Sequence, residues 1–373
     1  MRSVSDLHPA RSRSGGLRIA MVAPPWYELP PRAYGGIEAM VSDLTTALVR
    51  RGHTVTLIGA GRADTPADYV ATYPEAPSSR IGEPLPEVVH AAAAAATLAS
   101  LDVDIVHDHS LAGPLTAASR TAPTLVTVHG AIDDDLGEFY RRLGGAVSLA
   151  AISGSQRGSA SDLNWAGVVH NAVDAASFPY RADKEDWLLW LGRFSPDKGA
   201  HLAIDAARAA GRRILLAGKL TEPSEHDYFS RFVRPRLGAD AEYVGEADAA
   251  RKRDLLSRAR CLLFPIQWEE PFGLVMIEAM ACGTPVVTLR RGAAPEVVVD
   301  GVTGFVRTSP DELPDAVERA GDLDPRACRA HVERHFDVSV MAEGYERLYR
   351  QVIAGAALRD RTAVPASAPA LAG

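Results

Sequence analysis

The chain has 373 residues, 47% apolar and 23% charged, a balance that excludes bulk disorder and leaves room for two domains that each bury their own core. A formal charge of -7 argues against nucleic acid as the main partner, because a phosphate-binding domain leaves a basic footprint. No apolar run nears the roughly 20 residues that span a bilayer, and Cys261, Cys282 and Cys328, few and widely spaced, read as reduced core residues of a cytoplasmic protein.

Residues 1–16 are rich in Arg and Ser but lack an apolar stretch, so they read as a flexible leader and not as a secretory signal. From residue 17 to about 175, short β-branched runs alternate with helical patterns: Arg18 to Val22, His53 to Ile58, Asp104 to His107, Thr124 to Val128, Leu149 to Ile152, and Val168 to Val169. That alternation predicts a parallel sheet covered by helices. After the first run comes a Pro-rich loop, and Tyr34-Gly35-Gly36-Ile37-Glu38 then opens a helix. Adjacent glycines let a ligand approach the backbone closely and the helix behind them favours phosphate, although an ordinary left-handed turn reads the same way. Gly59-Ala60-Gly61 lacks the third glycine of a dinucleotide fingerprint. His107-Asp108-His109 sets two imidazoles on one strand face. A metal would use them, but no further ligands stand at a telling spacing, and substrate hydrogen bonds are as natural there. His129 ends a buried strand, where a histidine is either structural or a polar contact to a bound substrate. Asp133-Asp134-Asp135 reads as the acidic start of a helix.

The stretch Asn171 to Asp186, with Pro179, reads as a linker. A second series of strands follows at Trp187 to Leu191, Arg213 to Ala217, Glu242 to Val244, Cys261 to Phe264, and Pro285 to Thr288. Two doubly wound units in tandem are expected, spanning 17–175 and 176–337, with ligands outside the carboxyl ends of the strands. The helical stretch 338–354 carries an apolar stripe of Met341, Tyr345, Leu348 and Tyr349, expected to pack back on the first domain. The Ala- and Pro-rich tail 355–373 is expected to be disordered.

The second unit holds the densest chemistry. Arg193 offers a planar fork and Lys198 a mobile point charge, a pair suited to a diphosphate or, more plainly, two surface cations beside a turn. Trp268-Glu269-Glu270-Pro271-Phe272-Gly273-Leu274-Val275-Met276-Ile277-Glu278 joins the strand ending at Phe264 to a helix from Leu274 to Cys282. The helix start favours an anion, while Glu270 and Glu278 accept hydrogen bonds from hydroxyls such as those of a sugar and a ribose. A solvated surface pair is the bland alternative. Walker A, Gly-x-Ser-x-Gly and His-Glu-x-x-His sequences are absent, which removes the P-loop, elbow-hydrolase and zinc-peptidase readings.

Taken together, Glu270 to Glu278 as a Glu-x7-Glu motif, Gly192-Arg193 with Lys198-Gly199, Gly35-Gly36 and His129 resemble retaining glycosyltransferases of family 4, from about Leu17 to Ala354. The resemblance implies an α/β GT-B fold, with two Rossmann-like domains facing across a cleft. It implies a hexosyltransferase that moves sugar from a UDP, GDP or ADP sugar to a saccharide, lipid or small-molecule acceptor. Arg193 and Lys198 would hold the diphosphate, Glu270 and the backbone of Phe272, Gly273 and Leu274 the sugar, Glu278 the ribose, and His129 the reacting hexose. Gly35 and Gly36 would approach the phosphates. No metal or other cofactor is implied, and peripheral membrane contact stays open. Acceptor contacts are expected from Trp26 to Tyr34 and Asp64 to Glu87. One departure is Asn171-Ala172-Val173-Asp174, where the family commonly has Gly in second place. A positive φ at Ala172 would cost about 1 kcal/mol, so a relaxed turn is expected. A phosphorylase or epimerase of the same fold, and a catalytically silent nucleotide-sugar-binding module, are the alternatives.

Overall fold

The computed structural model describes residues 15–32 and 35–363. Most of the leader, Tyr34, and the tail beyond Ala363 lie outside them. The first domain is built on seven parallel strands: β1 (Arg18–Val22), β2 (Thr54–Gly59), β3 (Asp68–Ala71), β4 (Ile105–Asp108), β5 (Thr124–Val128), β6 (Ser148–Ala151) and β7 (Trp165–Val168), ordered β3-β2-β1-β4-β5-β6-β7. Six parallel strands form the second: β8 (Trp187–Leu191), β9 (Arg213–Ala217), β10 (Ala241–Tyr243), β11 (Leu262–Phe264), β12 (Val286–Leu289) and β13 (Gly304–Arg307), ordered β10-β9-β8-β11-β12-β13. Both sheets are doubly wound, so the chain reverses direction between β1 and β4 and again between β8 and β11. Loops splay apart at such points and leave a crevice at the strands' carboxyl ends.

Three strands differ from the sequence reading. β3 is a half-exposed edge strand inside the stretch read as an acceptor loop, and its apolar signal is weak for that reason. β13 is absent from the predicted strands: Gly304 stands where a Cβ would overlap the Val286 backbone, so it serves close strand approach. β7 starts before the predicted position, with Gly167 under Leu348, whose Cδ2 would lie 2.8 Å from a Cβ there.

The helix Val338–Ala363 crosses to the first domain, where Met341, Tyr345, Leu348, Tyr349 and Val352 share a core cluster with Met40, Val41, Leu44 and Leu48 of the helix Gly36–Arg50. It continues beyond residue 354, so the expected disordered tail from 355 is corrected: Ala356 and Ala357 are good helix formers, and nothing up to Ala363 breaks the helix. Part of the predicted linker is also fixed. Phe178 is buried in the second domain's core, and Lys184 Nζ donates to Ser257 O and Cys282 O at 2.9 Å and to Thr284 Oγ1 at 2.8 Å. Among the described residues no non-glycine has a positive φ, so Ala172 sits in a relaxed turn. The three cysteines are unbridged, and burial pushes each thiol up to about 12.

Candidate active site

At the second switch point the loops after β8 and β11 interlock. β8 runs into Gly192 and Arg193, a single turn Pro196–Lys198 follows, and Gly199 (φ 69°) opens the helix Ala200–Ala209. A Cβ at Gly199 would overlap the Pro265 carbonyl that follows β11. Trp190 Nε1 donates to Lys198 O at 3.0 Å and Gln267 N to Asp197 O at 2.7 Å. These contacts aim Lys198 across the crevice. Its ammonium forms an ion pair with Glu270 Oε2 and lies 4.9 Å from the centre of a Trp268 ring. Trp268 Nε1 donates to the same carboxylate oxygen at 3.0 Å.

Glu270 is held from below by a part of the chain that the motif does not include. Ala293 N donates to Glu270 O at 2.9 Å, and Gly292 packs so closely that a Cβ there would overlap the Glu270 backbone. Gly273 (φ 81°) then starts the helix Leu274–Ala281. Glu278 projects from that helix to Lys252 Nζ at 2.5 Å. Phe272 is buried, its ring 5.9 Å from those of Phe336 and His170, so only its backbone is available to a ligand.

A cleft of about 640 Å³ lies between the domains. Of the residues singled out from the sequence, Gly35, Gly36, Arg193, Lys198, Glu270, Gly273, Leu274 and Glu278 line it, whereas Phe272 and His129 do not. Among the described residues Arg193 makes no ion pair, so it is a cation open to an anionic ligand. Sequence reasoning missed Lys219, Lys252 and Arg253 on the second-domain wall and Asp43 on the opposite one. Burial and the neighbouring Asp174 push the Asp43 carboxyl up to about 6, against the pull of Arg253 and Arg50. Only the fold shows that these residues share a cleft, since none belongs to a local motif. The domains meet at the cleft's edge, where a Cβ on Gly36 would lie 3.0 Å from Leu274 Cδ1.

His129 follows β5 and is half-buried. Its Nε2 lies 2.9 Å from His109 Nδ1. Burial pushes its imidazole down to about 3, so the ring is neutral. His107 is spoken for: Nδ1 meets Tyr349 Oη and Nε2 meets Thr127 Oγ1, both at 2.8 Å. Nδ1 thus ties the sheet to the C-terminal helix and Nε2 ties β4 to β5, which removes this residue from the metal and substrate readings of His107-Asp108-His109. Asp133 caps its helix by accepting from Leu136 N at 2.8 Å.

Residues 174–330 match the family described as Glycosyl transferases group 1, and residues 34–196 match Glycosyltransferase Family 4. The chain belongs to the family 4 glycosyltransferases. Similar members include a glycogen synthase of Mycobacterium tuberculosis, 27% identical over 89% of this chain and 94% of that one. Another is a phosphatidyl-myo-inositol mannosyltransferase of Mycolicibacterium smegmatis, 26% identical over 93% and 99%. Among solved structures AviGT4, a glycosyltransferase involved in avilamycin A biosynthesis, superposes with a TM-score of 0.69 at 28% identity, covering 91% of this chain and 98% of its own. The fold is also that of Anabaena HepE in complex with UDP and glucose, with a TM-score of 0.68 at 17% identity over 90% and 100%. This family 4 member is therefore a GT-B glycosyltransferase. Among its described residues no helix is long and apolar enough to cross a membrane.

Proposed function

We propose that the chain is a retaining hexosyltransferase that takes its sugar from a nucleoside diphosphate sugar bound to the second domain and passes it to an acceptor hydroxyl presented by the first. The observation that carries this reading is the meeting of Lys198 and Glu270, delivered by neighbouring strands to one crevice, with Arg193 on the same wall and in no ion pair among the described residues. A diphosphate entering there meets Arg193 and Lys198 together with the amides at the start of the helix Leu274–Ala281. Glu270 then accepts from sugar hydroxyls and Glu278, steadied by Lys252, from the ribose. HepE crystallised with UDP-glucose shares the fold, which supports a nucleotide sugar as the donor class, whether of UDP, GDP or ADP.

In the reaction the bond from the anomeric carbon to the diphosphate oxygen breaks, and the acceptor oxygen bonds to the same carbon from the same face. The departing phosphate oxygen takes the acceptor's proton, so atoms and charges balance without a protein nucleophile. Catalysis is then positional and electrostatic. The protein's own cations offset the leaving group's charge, so metal is dispensable in this reading. A thermal-shift panel of sugar nucleotides with chelator tests donor binding, since a ligand of the native state raises the midpoint. Diphosphate release with acceptor, and the anomeric configuration of the product, test the chemistry. An inverted product overturns the retaining mechanism, and binding without release from any donor favours the silent module.

A further inference from the structure

The side chains around His129 determine more than its position. Gln156, buried on the helix Gly154–Ser159, donates from Nε2 to Val128 O at 2.9 Å and to Gly130 O at 2.7 Å, and its Oε1 accepts from Ile152 N at 2.9 Å. The chain on both sides of His129 is thereby pinned, at the Val128 and Gly130 carbonyls. What stays open is which ring nitrogen carries the proton, and that choice decides whether the ring donates or accepts.

The partners settle it in sequence. His109 is buried, with Nε2 3.2 Å from Met21 Sδ and Nδ1 2.9 Å from His129 Nε2. Sulfur has no proton to give, so the Nε2 position of His109 bears the hydrogen and its Nδ1 is bare. A bare Nδ1 requires a donor opposite, and His129 Nε2–H is that donor. Burial holds both rings neutral, so His129 Nδ1 is bare in turn. That atom has no partner among the described residues and is not among their buried unpaired polar atoms.

We propose that His109 is a positioning residue that holds His129 in the Nε2–H form, so that His129 Nδ1, although outside the cleft lining, is left as the acceptor for a hydroxyl of a bound sugar that reaches the end of β5. The assignment rests on the transferase reading only for the nature of that hydroxyl; the tautomer belongs to the folded chain alone. Phe at position 109 removes the acceptor and frees His129 to carry its proton on Nδ1, turning an acceptor into a donor. Asn at 109 returns a carbonyl oxygen near the place of the lost nitrogen.

Long-range proton–nitrogen NMR on the full chain with labelled histidine, assigned by His129→Gln, reads the tautomer directly. Protonated Nε2 and bare Nδ1 at His129 are expected, and a proton on Nδ1 in the unsubstituted protein overturns the proposal. His109→Phe is expected to lower kcat about 10- to 100-fold, a cost typical of losing the partner that orients a working histidine, with donor KM unchanged and kcat largely restored in His109→Asn. Full kcat in His109→Phe also overturns it. If the unsubstituted chain releases no diphosphate from any donor, the transferase reading falls, while the NMR result still decides the tautomer.

Discussion

Lys198 and Glu270 lie 72 residues apart, and each makes the other tolerable in a half-buried wall, because an unpaired charge there would be strongly disfavoured. In the proposed reading a diphosphate competes with the carboxylate for the ammonium, so donor binding is expected to loosen this pair. If Lys198 holds the leaving group as proposed, Lys198→Ala removes a charge-assisted contact of about 1.5–3 kcal/mol, so kcat/KM for diphosphate release is expected to fall roughly 10- to 100-fold. A fall of less than about threefold, below 1 kcal/mol, would exclude this lysine from the reaction. Gly292→Ala probes the same site from beneath. Its φ of 51° and its contact with the Glu270 backbone leave no room for a methyl group, so activity is expected to drop at least about tenfold with a stability loss of roughly 1–3 kcal/mol. Chemical denaturation alongside kinetics separates the two effects. A local motif can show Glu270, but it cannot show the glycine that supports it from 22 positions downstream (292 − 270).

Among the elements, the C-terminal helix joins the domains most directly. Glu346 Oε1 accepts from Arg51 Nε at 2.6 Å and from His53 Nε2 at 2.9 Å. His53 Nδ1 accepts from Leu17 N at 3.0 Å, which puts the ring proton on Nε2. The Arg51 contact, opposed by burial and helped by His53, holds the Glu346 carboxyl down at about 2. With a folded value below the ordinary 4.5, the carboxylate's contribution is complete above about pH 4.5 and is lost as pH falls toward 2. Glu346→Gln is expected to cost about 1–3 kcal/mol near neutral pH and to flatten the acid limb of stability over that window. An unchanged acid limb would place the helix's anchoring elsewhere. Period and composition made this helix and both sheets legible in the sequence, because buried parallel strands and an amphipathic stripe carry local signals. β3 and β13 were not legible, since one is an edge with no buried residue and the other begins on a glycine required by its neighbour. Lys252 beside Glu278 and His109 behind His129 were equally hidden: such partners are chosen by the packing of distant elements.

At the scale of the whole molecule, the two chain crossings are zipped together: Val173 N donates to Phe336 O at 3.0 Å and Val338 N to Val173 O at 3.1 Å. With Phe178 and Lys184 locked to the second domain, rotation between the domains is expected at residues 172–175 and 336–338 and not along the whole predicted linker. Away from this axis, Glu296 of the second domain accepts from Gly154 N at 2.8 Å and Ser155 N at 2.6 Å, and meets His170 Nε2 at 3.2 Å. Burial raises the Glu296 carboxyl, but His170 and the two amides outweigh it and hold the value low. The contact therefore weakens as pH falls through that lowered value. Gly154 and Ser155 begin the short helix whose Gln156 pins His129, so domain approach and the placing of that imidazole share one element. Glu296→Ala should loosen the approach by about 1–2 kcal/mol, less than fully buried bonds would give because the carboxylate is partly exposed. In the proposed reading the charged donor contacts, Arg193, Lys198, Glu270 and Glu278, lie on the second domain, so thermal shifts by sugar nucleotides are expected to stay close to those of the unsubstituted chain. At the same time kcat falls roughly tenfold and small-angle scattering shows a larger radius of gyration. Weaker donor binding with unchanged kcat would instead make Glu296 a support of the nucleotide site and not a link between the domains.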